Sequence, residues 1–316
     1  MLRNKSLVKS FKISSLFAHQ QSNIALDIGS SAIKLLELEI GGKERMLKQF
    51  SCLTLSPGAD LPVILKTFVE SQKISGRPVN TSLSGQSVIM RYITLPRMNL
   101  HELKGTMQFE AGQYIPLPRD EVILDCAIVK EKAEDNKMLV VLAAVKKTVI
   151  YERISLLEKA GLTAKVIDID CFCLSNAFNH SYQWASDATI AKTEVIGLLN
   201  IGANFTNMAI LEGGILRFSR DIAFGGRELS LNNLAGEISS SIDYFENQSG
   251  KRLEKVYLAG GAAEASNVLD FLNHHLGVQA ALYDFFTGIK FGQDMNTQEL
   301  KAKGNLFVVA LGLVLR

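Results

Sequence analysis

Five residues whose side chains or backbone could do chemistry stand close together near the start of the sequence. They are Asp27, Gly29, Ser30, Ser31 and Lys34. Gly29 has no Cβ, so the backbone there can pass close to a ligand, and the serine hydroxyls and turn N–H groups can donate to an anion. Lys34 adds a positive charge, and the Asp27 carboxylate can hold a metal-bound water. The stretch predicts a phosphate-binding turn; the alternative is an ordinary hairpin turn with a buried carboxylate.

A second stretch, residues 197–214, repeats the first. Asn200 follows Asp27 by 173 positions, and Gly202 follows Gly29 by the same interval. The positions that match the two serines are Ala203 and Asn204. An internal repeat indicates a duplicated architecture. Each copy has the pattern of a strand, a small-residue turn and a second strand. We therefore expect two similar lobes whose turns face each other across a cleft and hold one polyphosphate from both sides.

These turns resemble the two phosphate loops of the actin-like ATPase superfamily, which includes actin, chaperone ATPases, sugar kinases and FtsA. Residues 256–271, a strand followed by a Gly-Gly turn and a helix, resemble its adenosine motif. The segments that further resemble the PilM family of type IV pilus assembly proteins are residues 31–39, 109–129 and 220–229. The similarity covers roughly residues 24–316. It implies an α/β, two-lobed actin-like (ribonuclease H-like) fold with a small α+β subdomain inserted in the first lobe.

The resemblance implies a nucleotide site for ATP or ADP with Mg²⁺. Glycine turns at 225–226 and 260–261 would let the backbone approach the ribose and the adenine, and Glu228 begins the next helix, within reach of the ribose. Asp27 is the predicted metal residue, through water. The predicted nucleotide-binding residues are Asp27, Gly29, Ser30, Ser31, Lys34, Asn200, Gly202, Ala203, Asn204, Gly225, Gly226, Glu228, Gly260, Gly261 and Ala262. The alternative for each glycine is a left-handed turn without a ligand. No Walker A pattern occurs, which excludes a P-loop NTPase.

Hydrolysis of the nucleotide is expected to be slow or absent. The superfamily usually has Asp where this sequence has Asn200, and an amide cannot take a proton from water. Asp170, which the resemblance places where the first crossing helix faces the cleft, is the only catalytic candidate. Its alternative role is that of a helix N-cap.

A partner site is predicted in the Pro-bounded segment at 113–122. An exposed strand edge beside such a turn suits an extended peptide. The resemblance implies that the groove beside the insertion takes the cytoplasmic N-terminal tail of a PilN-like inner-membrane protein; pilus assembly ATPases and platform proteins are further possible partners. The predicted partner-binding residues are Tyr114, Ile115, Pro116, Arg119 and Glu121. The alternative is that Tyr114 and Ile115 only pack the insertion against its lobe.

The elements that would position these residues follow from local patterns. A helix is predicted at 99–114, where Asn99 and Glu102 form a possible capping box. A crossing helix is predicted at 170–179, a long helix at 227–247 and an apolar segment at 306–315. The predicted domains are a basic extension (1–22), a first lobe (23–180) with its insertion at about 97–146, a linker (181–193) and a second lobe (194–316).

The composition of the chain narrows the class of protein to which it can belong. The chain has 316 residues, 47% of them hydrophobic and 21% charged, and a net charge of +2, so we expect a large globular core and no nucleic-acid partner. The cysteines, expected to be reduced, are Cys52, Cys126, Cys171 and Cys173. The five histidines are scattered, which argues against a metal site built on them. No apolar run is long enough to cross a membrane. Together with the resemblance to the PilM family, which implies a membrane partner, this leads us to expect a cytoplasmic protein at the inner face of the bacterial inner membrane, attached through that partner.

Three other functions remain open at this stage. A small-molecule kinase of the same superfold would have a substrate-site carboxylate where the insertion stands. An FtsA-like filament former would have an amphipathic tail as an anchor, and a GspL-type secretion protein would continue into a membrane span. The basic N-terminus reads as a weak interfacial helix or as a frayed terminus.

Overall fold

The computed structural model describes residues 21–41, 44–85, 88–186, 194–226, 230–265, 267–292 and 295–316. Its α-helices are α1 (Leu61–Ser71), α2 (Leu100–Glu110), α3 (Lys147–Lys159), α4 (Asp170–Ser186), α5 (Leu231–Ser249), α6 (Val268–His275), α7 (Thr297–Lys303) and α8 (Val308–Val314). The fold is mixed α/β, as predicted.

Two large sheets dominate the molecule. The first contains β1 (Gln21–Ile28), β2 (Ala32–Gly41), β3 (Glu44–Thr54), β4 (Pro78–Leu83), β8 (Thr163–Ile169) and β14 (Lys290–Phe291), in the order β14-β3-β2-β1-β4-β8. The second contains β9 (Val195–Ile201), β10 (Thr206–Glu212), β11 (Ile215–Ile222), β12 (Lys255–Ala259) and β13 (Gln279–Leu282), in the order β11-β10-β9-β12-β13.

The sequence repeat is also a repeat of topology. Each sheet begins with three consecutive antiparallel strands, β1–β3 in the first sheet and β9–β11 in the second. A fourth strand then pairs in parallel with the first of the three, and a fifth pairs in parallel with the fourth. The two turns match closely: the Gly29 N–H donates to the Ala32 carbonyl at 3.0 Å, and the Gly202 N–H donates to the Phe205 carbonyl at 2.9 Å. The two halves therefore present the same turn at the same end of the same strand.

Each large sheet contributes one face to a shared core. Alternate residues of a strand point to opposite faces, and along β1 Ala25 packs into this core whereas Ile24 and Leu26 face the side covered by α1 and α3. On β9, Ile196 and Leu198 pack into the same shared core. Helices α4 and α8 fill the core between the sheets, which fixes the two turns relative to each other.

Helix α8 is buried along its whole length. A Cβ on Gly312 would overlap the Cys173 carbonyl oxygen, so only glycine lets α8 approach α4 this closely. Its last carbonyls need partners outside the helix. The Asn80 side chain donates to the Leu313 carbonyl at 2.9 Å, and Asn23 donates to the Val314 carbonyl at 3.2 Å.

The third sheet contains β5 (Val88–Leu95), β6 (Val122–Lys130) and β7 (Met138–Lys146), in the order β5-β7-β6. Helix α2 covers one face and buries Leu103 and Met107 there. The capping box predicted at its start is present: Asn99 accepts from the Glu102 N–H at 2.9 Å, and Glu102 accepts from the Asn99 N–H at 2.9 Å. The helix ends at Glu110, and a short 3-10 turn (Ala111–Gln113) follows.

Several element boundaries differ from the predicted ones. The first six residues of the linker predicted at 181–193 instead belong to α4, which continues through Ser186. The Ser181 side chain is fully buried, and Tyr182 packs against Phe178 with ring centroids 5.4 Å apart. Residues 187–193 lie outside the described residues. The small sheet begins with β5 at Val88, ahead of the insertion start predicted near residue 97.

The ends of the chain also depart from the predicted division. Strand β14 pairs with β3, and α8 packs on β1, β2 and β4, so these pieces of the predicted second lobe pack on the first sheet. Residues 21–22 of the predicted extension belong to β1, and the rest of that extension, residues 1–20, lies outside the described residues. The domain boundaries otherwise stay a prediction.

Candidate functional site

A pocket of about 320 Å³ lies where the two repeated turns meet. Its lining residues are Asp27, Ser31, Lys34, Asn200, Gly202, Ala203, Gly226, Gly260, Gly261, Ala262 and Leu306. They come from the ends of β1 and β9, from the start of β2, from the turns that follow β1, β9, β11 and β12, and from the short turn before α8. Ligands of α/β proteins commonly bind at the carboxyl ends of sheet strands, so this is the expected position for a ligand site.

The first turn supplies opposite charges to this pocket. Asp27 and Lys34 lie opposite each other on β1 and β2, and the Lys34 Nζ is 3.0 Å from the Asp27 Oδ2. Burial lowers the pKa of Lys34, but the charge of Asp27 and the hydrogen bond to it outweigh burial, so the net pKa lies above the ordinary 10.5. Lys34 is therefore a cation beside Asp27 at the pocket wall at neutral pH.

The second turn has the same geometry with neutral groups. Asn200 and Asn207 lie opposite each other on β9 and β10, and the Asn200 Nδ2 donates to the Asn207 Oδ1 at 2.9 Å. The Asn207 Nδ2 in turn donates to the Asp221 Oδ1 at 2.6 Å. An amide pair thus replaces the ion pair of the first turn.

Glycines allow three turns of the second sheet to converge. A Cβ on Gly225 would lie 2.6 Å from the backbone of Ala203, and one on Gly226 would lie 2.7 Å from the Ala262 Cβ. The Gly226 N–H donates to the Gly202 carbonyl at 2.8 Å. These distances are too short for any side chain. Both glycines therefore have a structural role, and Gly226, which lines the pocket, also adds no side chain to its wall.

The structure brings most of the predicted nucleotide residues together. Those that do not line the pocket are Gly29, Ser30, Asn204 and Gly225. Glu228 lies outside the described residues. Leu306 was missed because its apolar segment indicated only core packing. Asn207 does not line the pocket but bonds to Asn200, which does; it was not predicted, although the repeat aligns it with Lys34.

Asp170 lies at the first position of α4, in a neighbouring cavity of about 280 Å³ and not in the pocket described above. Burial and the nearby charge of Asp27 raise the pKa of Asp170 to about 6, while hydrogen bonds from Ser82 and Ser84 act in the opposite direction. The charged residues that share this cavity are Arg91, Arg220 and Asp221.

An apolar groove of about 310 Å³ lies between the small sheet and the β8 edge of the first sheet. Its apolar lining residues are Leu83, Ile123, Cys126, Ala127, Val141, Ala143, Val145, Ile150, Ile167, Ile169 and Phe172. Its polar lining residues are Asp125, Asp168, Asn176 and Arg316. Arg316 forms an ion pair with Asp168 at this groove. Among the strands that the structure describes, β8 is the last of the first sheet and β6 is the last of the small sheet, so each has an open edge.

The five residues predicted to contact a partner do not line this groove. Ile115 is 3% exposed and packs with Val122 and Ala144 inside the insertion, and Tyr114 packs beside it. The other three, Pro116, Arg119 and Glu121, are exposed. Ile123 on β6 lines the groove instead and is 39% exposed, but it stands in an ordinary apolar strand that gave no sequence signal for a binding site.

A larger cavity of about 540 Å³, lined by residues 282–289 and by Phe291, Leu300, Gly304 and Asn305, contains none of the predicted residues. The Asp284 carboxylate there accepts from the Phe286 N–H at 2.9 Å, so it caps its own loop. Among the residues that the structure describes, no three His, Cys, Asp or Glu side chains gather as a metal site. Within the described ranges, no helix has the length and hydropathy that a membrane crossing requires.

The sequence matches the family model described as type IV pilus assembly protein PilM, over residues 25–232 and 230–316. Among solved structures, the chain is similar to a PilM-PilN type IV pilus biogenesis complex. The identity is 26% and the TM-score 0.82, and the match covers 94% of this chain and 99% of that chain.

Two more distant structures show the fold. One is a Bacteroides thetaiotaomicron protein with an actin-like ATPase fold and unknown function, at 11% identity, TM-score 0.52, and coverage of 84% and 91%. The other is the ethanolamine utilization protein EutJ from Carboxydothermus hydrogenoformans, at 12% identity, TM-score 0.50, and coverage of 94% and 90%. The molecule has the actin-like ATPase fold that its repeated turns predicted. With a family model matched along nearly its whole length, the chain belongs to the PilM family of type IV pilus assembly proteins.

Proposed function

We propose that this protein is an ATP- or ADP-binding component of the type IV pilus assembly platform at the inner membrane, where it binds the cytoplasmic tail of a PilN-like protein. The observation that carries the proposal is the pocket in which both repeated turns and the Gly260-Gly261 turn converge. Family membership supports the pilus role. The groove beside the insertion supports the partner role.

The pocket has the groups that a nucleotide needs. Lys34 supplies positive charge, and the two turns supply N–H groups close to a wall kept open by glycines. Leu306 and Ala262 add apolar surface on which a base could lie. The combination favours a ligand with a polyphosphate and a flat apolar part over a simple anion.

The residues also fit a hydrated Mg²⁺ ion. Mg²⁺ prefers oxygen ligands and keeps several of its waters, so it does not need a cluster of protein ligands. Asp27 provides a carboxylate, and Asn200 provides an amide oxygen in the same pocket. A bound Mg²⁺ would neutralise phosphate charge there. Turnover is expected to be slow or absent, because Asp170 lies in a separate cavity and Asn200 cannot act as a base.

The groove suits an extended apolar segment. The similar solved structure is a complex of PilM with PilN. In the present protein the groove has an apolar floor and the open edge of β8, and main-chain hydrogen bonds to an open edge are a recurrent way to hold a peptide. We place the partner's tail in this groove rather than on the exposed residues at 116–121.

The nucleotide site can be tested with two Gly→Val variants. A Cβ on Gly261 meets only the tip of Leu306, at 3.1 Å, so Gly261→Val adds bulk to the pocket with little backbone strain. Gly236, on the exposed face of α5, has no atom within 4 Å of such a Cβ and serves as the control. Calorimetry with Mg²⁺-ATP should show binding weakened at least about tenfold, or about 1.4 kcal/mol, for Gly261→Val only. Equal affinity in both variants and the wild type would place the nucleotide elsewhere.

A further inference from the structure

A chain of side-chain hydrogen bonds runs from the pocket to the outer strand of the second sheet. The Asn200 Nδ2 donates to the Asn207 Oδ1, and the Asn207 Nδ2 donates to the Asp221 Oδ1. The other Asp221 oxygen accepts from the Gly85 N–H, in the turn after β4 of the first sheet. Asn207 is 6% exposed, so water cannot readily replace its partners.

The chemistry of Asp221 sets the direction of this chain. An ionised carboxylate only accepts hydrogen bonds, so Asn207 must turn its NH₂ group toward Asp221. The Asn207 oxygen then faces Asn200, which must donate a hydrogen bond to it from its own NH₂ group. Both amides are thus locked in one of their two orientations by a charge that does not line the pocket.

The result is a fixed oxygen at the pocket wall. A Cβ on Gly260 would lie 2.7 Å from the Asn200 Oδ1, and Asn200 and Gly260 both line the pocket. An amide that was free to turn would present its NH₂ group to the ligand half of the time, and an NH₂ group repels the waters of a cation by presenting hydrogens to hydrogens. With its nitrogen held by Asn207, Asn200 acts as an acceptor.

We infer that Asp221 is a positioning residue: acting through Asn207, it holds the Asn200 oxygen toward the hydrated Mg²⁺ of the bound nucleotide. The inference rests on the proposed nucleotide function. It also gives Asn200 a definite role. Asn200 accepts hydrogen bonds as a carboxylate at that position would, but it has neither the charge nor the basicity of a carboxylate.

The inference predicts how substitutions at the two ends of the hydrogen-bond chain affect each other. In Asn200→Asp a carboxylate faces the Asn207 oxygen, and the Asn207 amide cannot turn over without placing that oxygen against Asp221. Adding Asp221→Asn removes the conflict, because the whole chain can then reverse its direction. Asn200→Asp alone should therefore destabilise the protein, and the addition of Asp221→Asn should restore its stability.

The first experiment measures nucleotide affinity with Mg²⁺ and with EDTA, by calorimetry with ATP. In Asp221→Asn and in Asn207→Leu, we expect the gain in affinity from Mg²⁺ to fall at least about threefold, with the affinity in EDTA unchanged. Asp243→Asn, an exposed carboxylate on α5, is the control. If Mg²⁺ raises the ATP affinity of both variants as much as it raises that of the wild type, the inference is overturned. Absence of ATP binding by the wild type would instead overturn the proposed function.

The second experiment needs no nucleotide. Urea unfolding of wild type, Asn200→Asp, Asp221→Asn and the double variant forms a double-mutant cycle. We expect Asn200→Asp to lower the unfolding midpoint and Asp221→Asn to restore most of that loss in its presence. Additive effects of the two changes would show that the residues are not joined through Asn207, and would overturn the inference whatever the calorimetry gives.

Discussion

The two repeats keep one geometry and use it for two chemistries. The positions that hold Asp27 and Lys34 on the first pair of strands hold Asn200 and Asn207 on the second. The first pair places an ion pair, with the Lys34 cation, at the pocket where phosphate groups would lie, and the second places a neutral amide pair there. A duplicated backbone has thus been given different electrostatic roles by substitutions at matched residues.

The negative charge of the buried Asp170 carboxylate lowers the stability of the folded protein. Its pKa is raised from 3.8 to about 6, chiefly by burial and then by Asp27. A carboxyl with a raised pKa keeps its proton in the folded state after the unfolded state has lost it. Its contribution therefore lowers the free energy of unfolding as pH rises from about 4 to about 6, and the full cost remains above pH 6.

We predict that Asp170→Asn stabilises the protein at pH 7 by about 1–2 kcal/mol, with a gain that shrinks toward zero near pH 4. The amide keeps the size of the carboxyl and can still bond to Ser82 and Ser84. Urea unfolding at a series of pH values measures the effect, with Asp243→Asn as the exposed control. A gain independent of pH would show that titration of Asp170 is not its source.

At the scale of elements, the contact between α4 and α8 holds the core together. Gly312 lies against the backbone of Cys173, and the Asn23 and Asn80 side chains bind the last carbonyls of α8. We predict that Gly312→Ala lowers the free energy of unfolding by about 2–4 kcal/mol, because the new methyl group must push two packed helices apart.

The matched control is Gly236→Ala, also in a helix but with open space around a new Cβ. That change should be neutral or should stabilise by up to about 1 kcal/mol, since alanine is the better helix former. Denaturant unfolding compares the two variants. Equal effects would mean that the close approach of α8 to α4 can relax at no cost.

The fold was predictable from sequence because its determinants are local and repeated. The two turns, the apolar strands that flank them and the Asn99–Glu102 capping box are all readable within a few residues. The length of α4 was not readable, because its last turns look polar and are stabilised by distant residues. Phe178 packs against Tyr182, Tyr257 and Tyr283, and Tyr257 lies on β12 of the second sheet.

The candidate sites divide along the same line. The pocket could be largely predicted, since glycines and polar residues in turns have a recognisable spacing. The groove could not, because its walls come from several elements, and β6, β7, β8 and α4 each contribute apolar residues that look like ordinary core. Ile115 shows the opposite error: a residue in a distinctive motif is buried, whereas Ile123, in an ordinary strand, faces the groove.

At the scale of the whole molecule, residues 304–316 connect the two sites. Leu306 lines the pocket, and the Asn305 carbonyl accepts from the Gly260 N–H at 2.8 Å. Ten residues after Leu306, Arg316 lines the groove and pairs with Asp168. Between them α8 is packed tightly on all sides. A shift at the Gly260 turn would therefore reach the groove through a stiff element.

We predict that nucleotide and partner tail affect each other's affinity by about 1–3 kcal/mol, a factor of about 5–150. Coupling between two binding sites is reciprocal, so Mg²⁺-ATP must change tail affinity by the same factor as the tail changes ATP affinity. Two titrations, each with the other ligand absent or saturating, measure both factors. If both factors equal one, the segment does not connect the sites.

The central claim, a nucleotide-binding scaffold that holds a PilN-like tail in its groove, is tested most directly by tail binding to two charge variants. The probe is a fluorescently labelled peptide of the partner's cytoplasmic N-terminal tail, and the readout is anisotropy. Ile123→Glu puts a carboxylate into the apolar groove, beside Asp125 and Asp168. Val63→Glu makes the same change at an exposed residue of α1, away from the groove.

The account predicts that Ile123→Glu weakens tail binding at least about tenfold, because the introduced charge must lose its water against an apolar wall. Val63→Glu and Arg119→Glu should bind as the wild type does. Wild-type affinity in Ile123→Glu, together with lost affinity in Arg119→Glu, would contradict the account and place the tail on the exposed segment at 116–121.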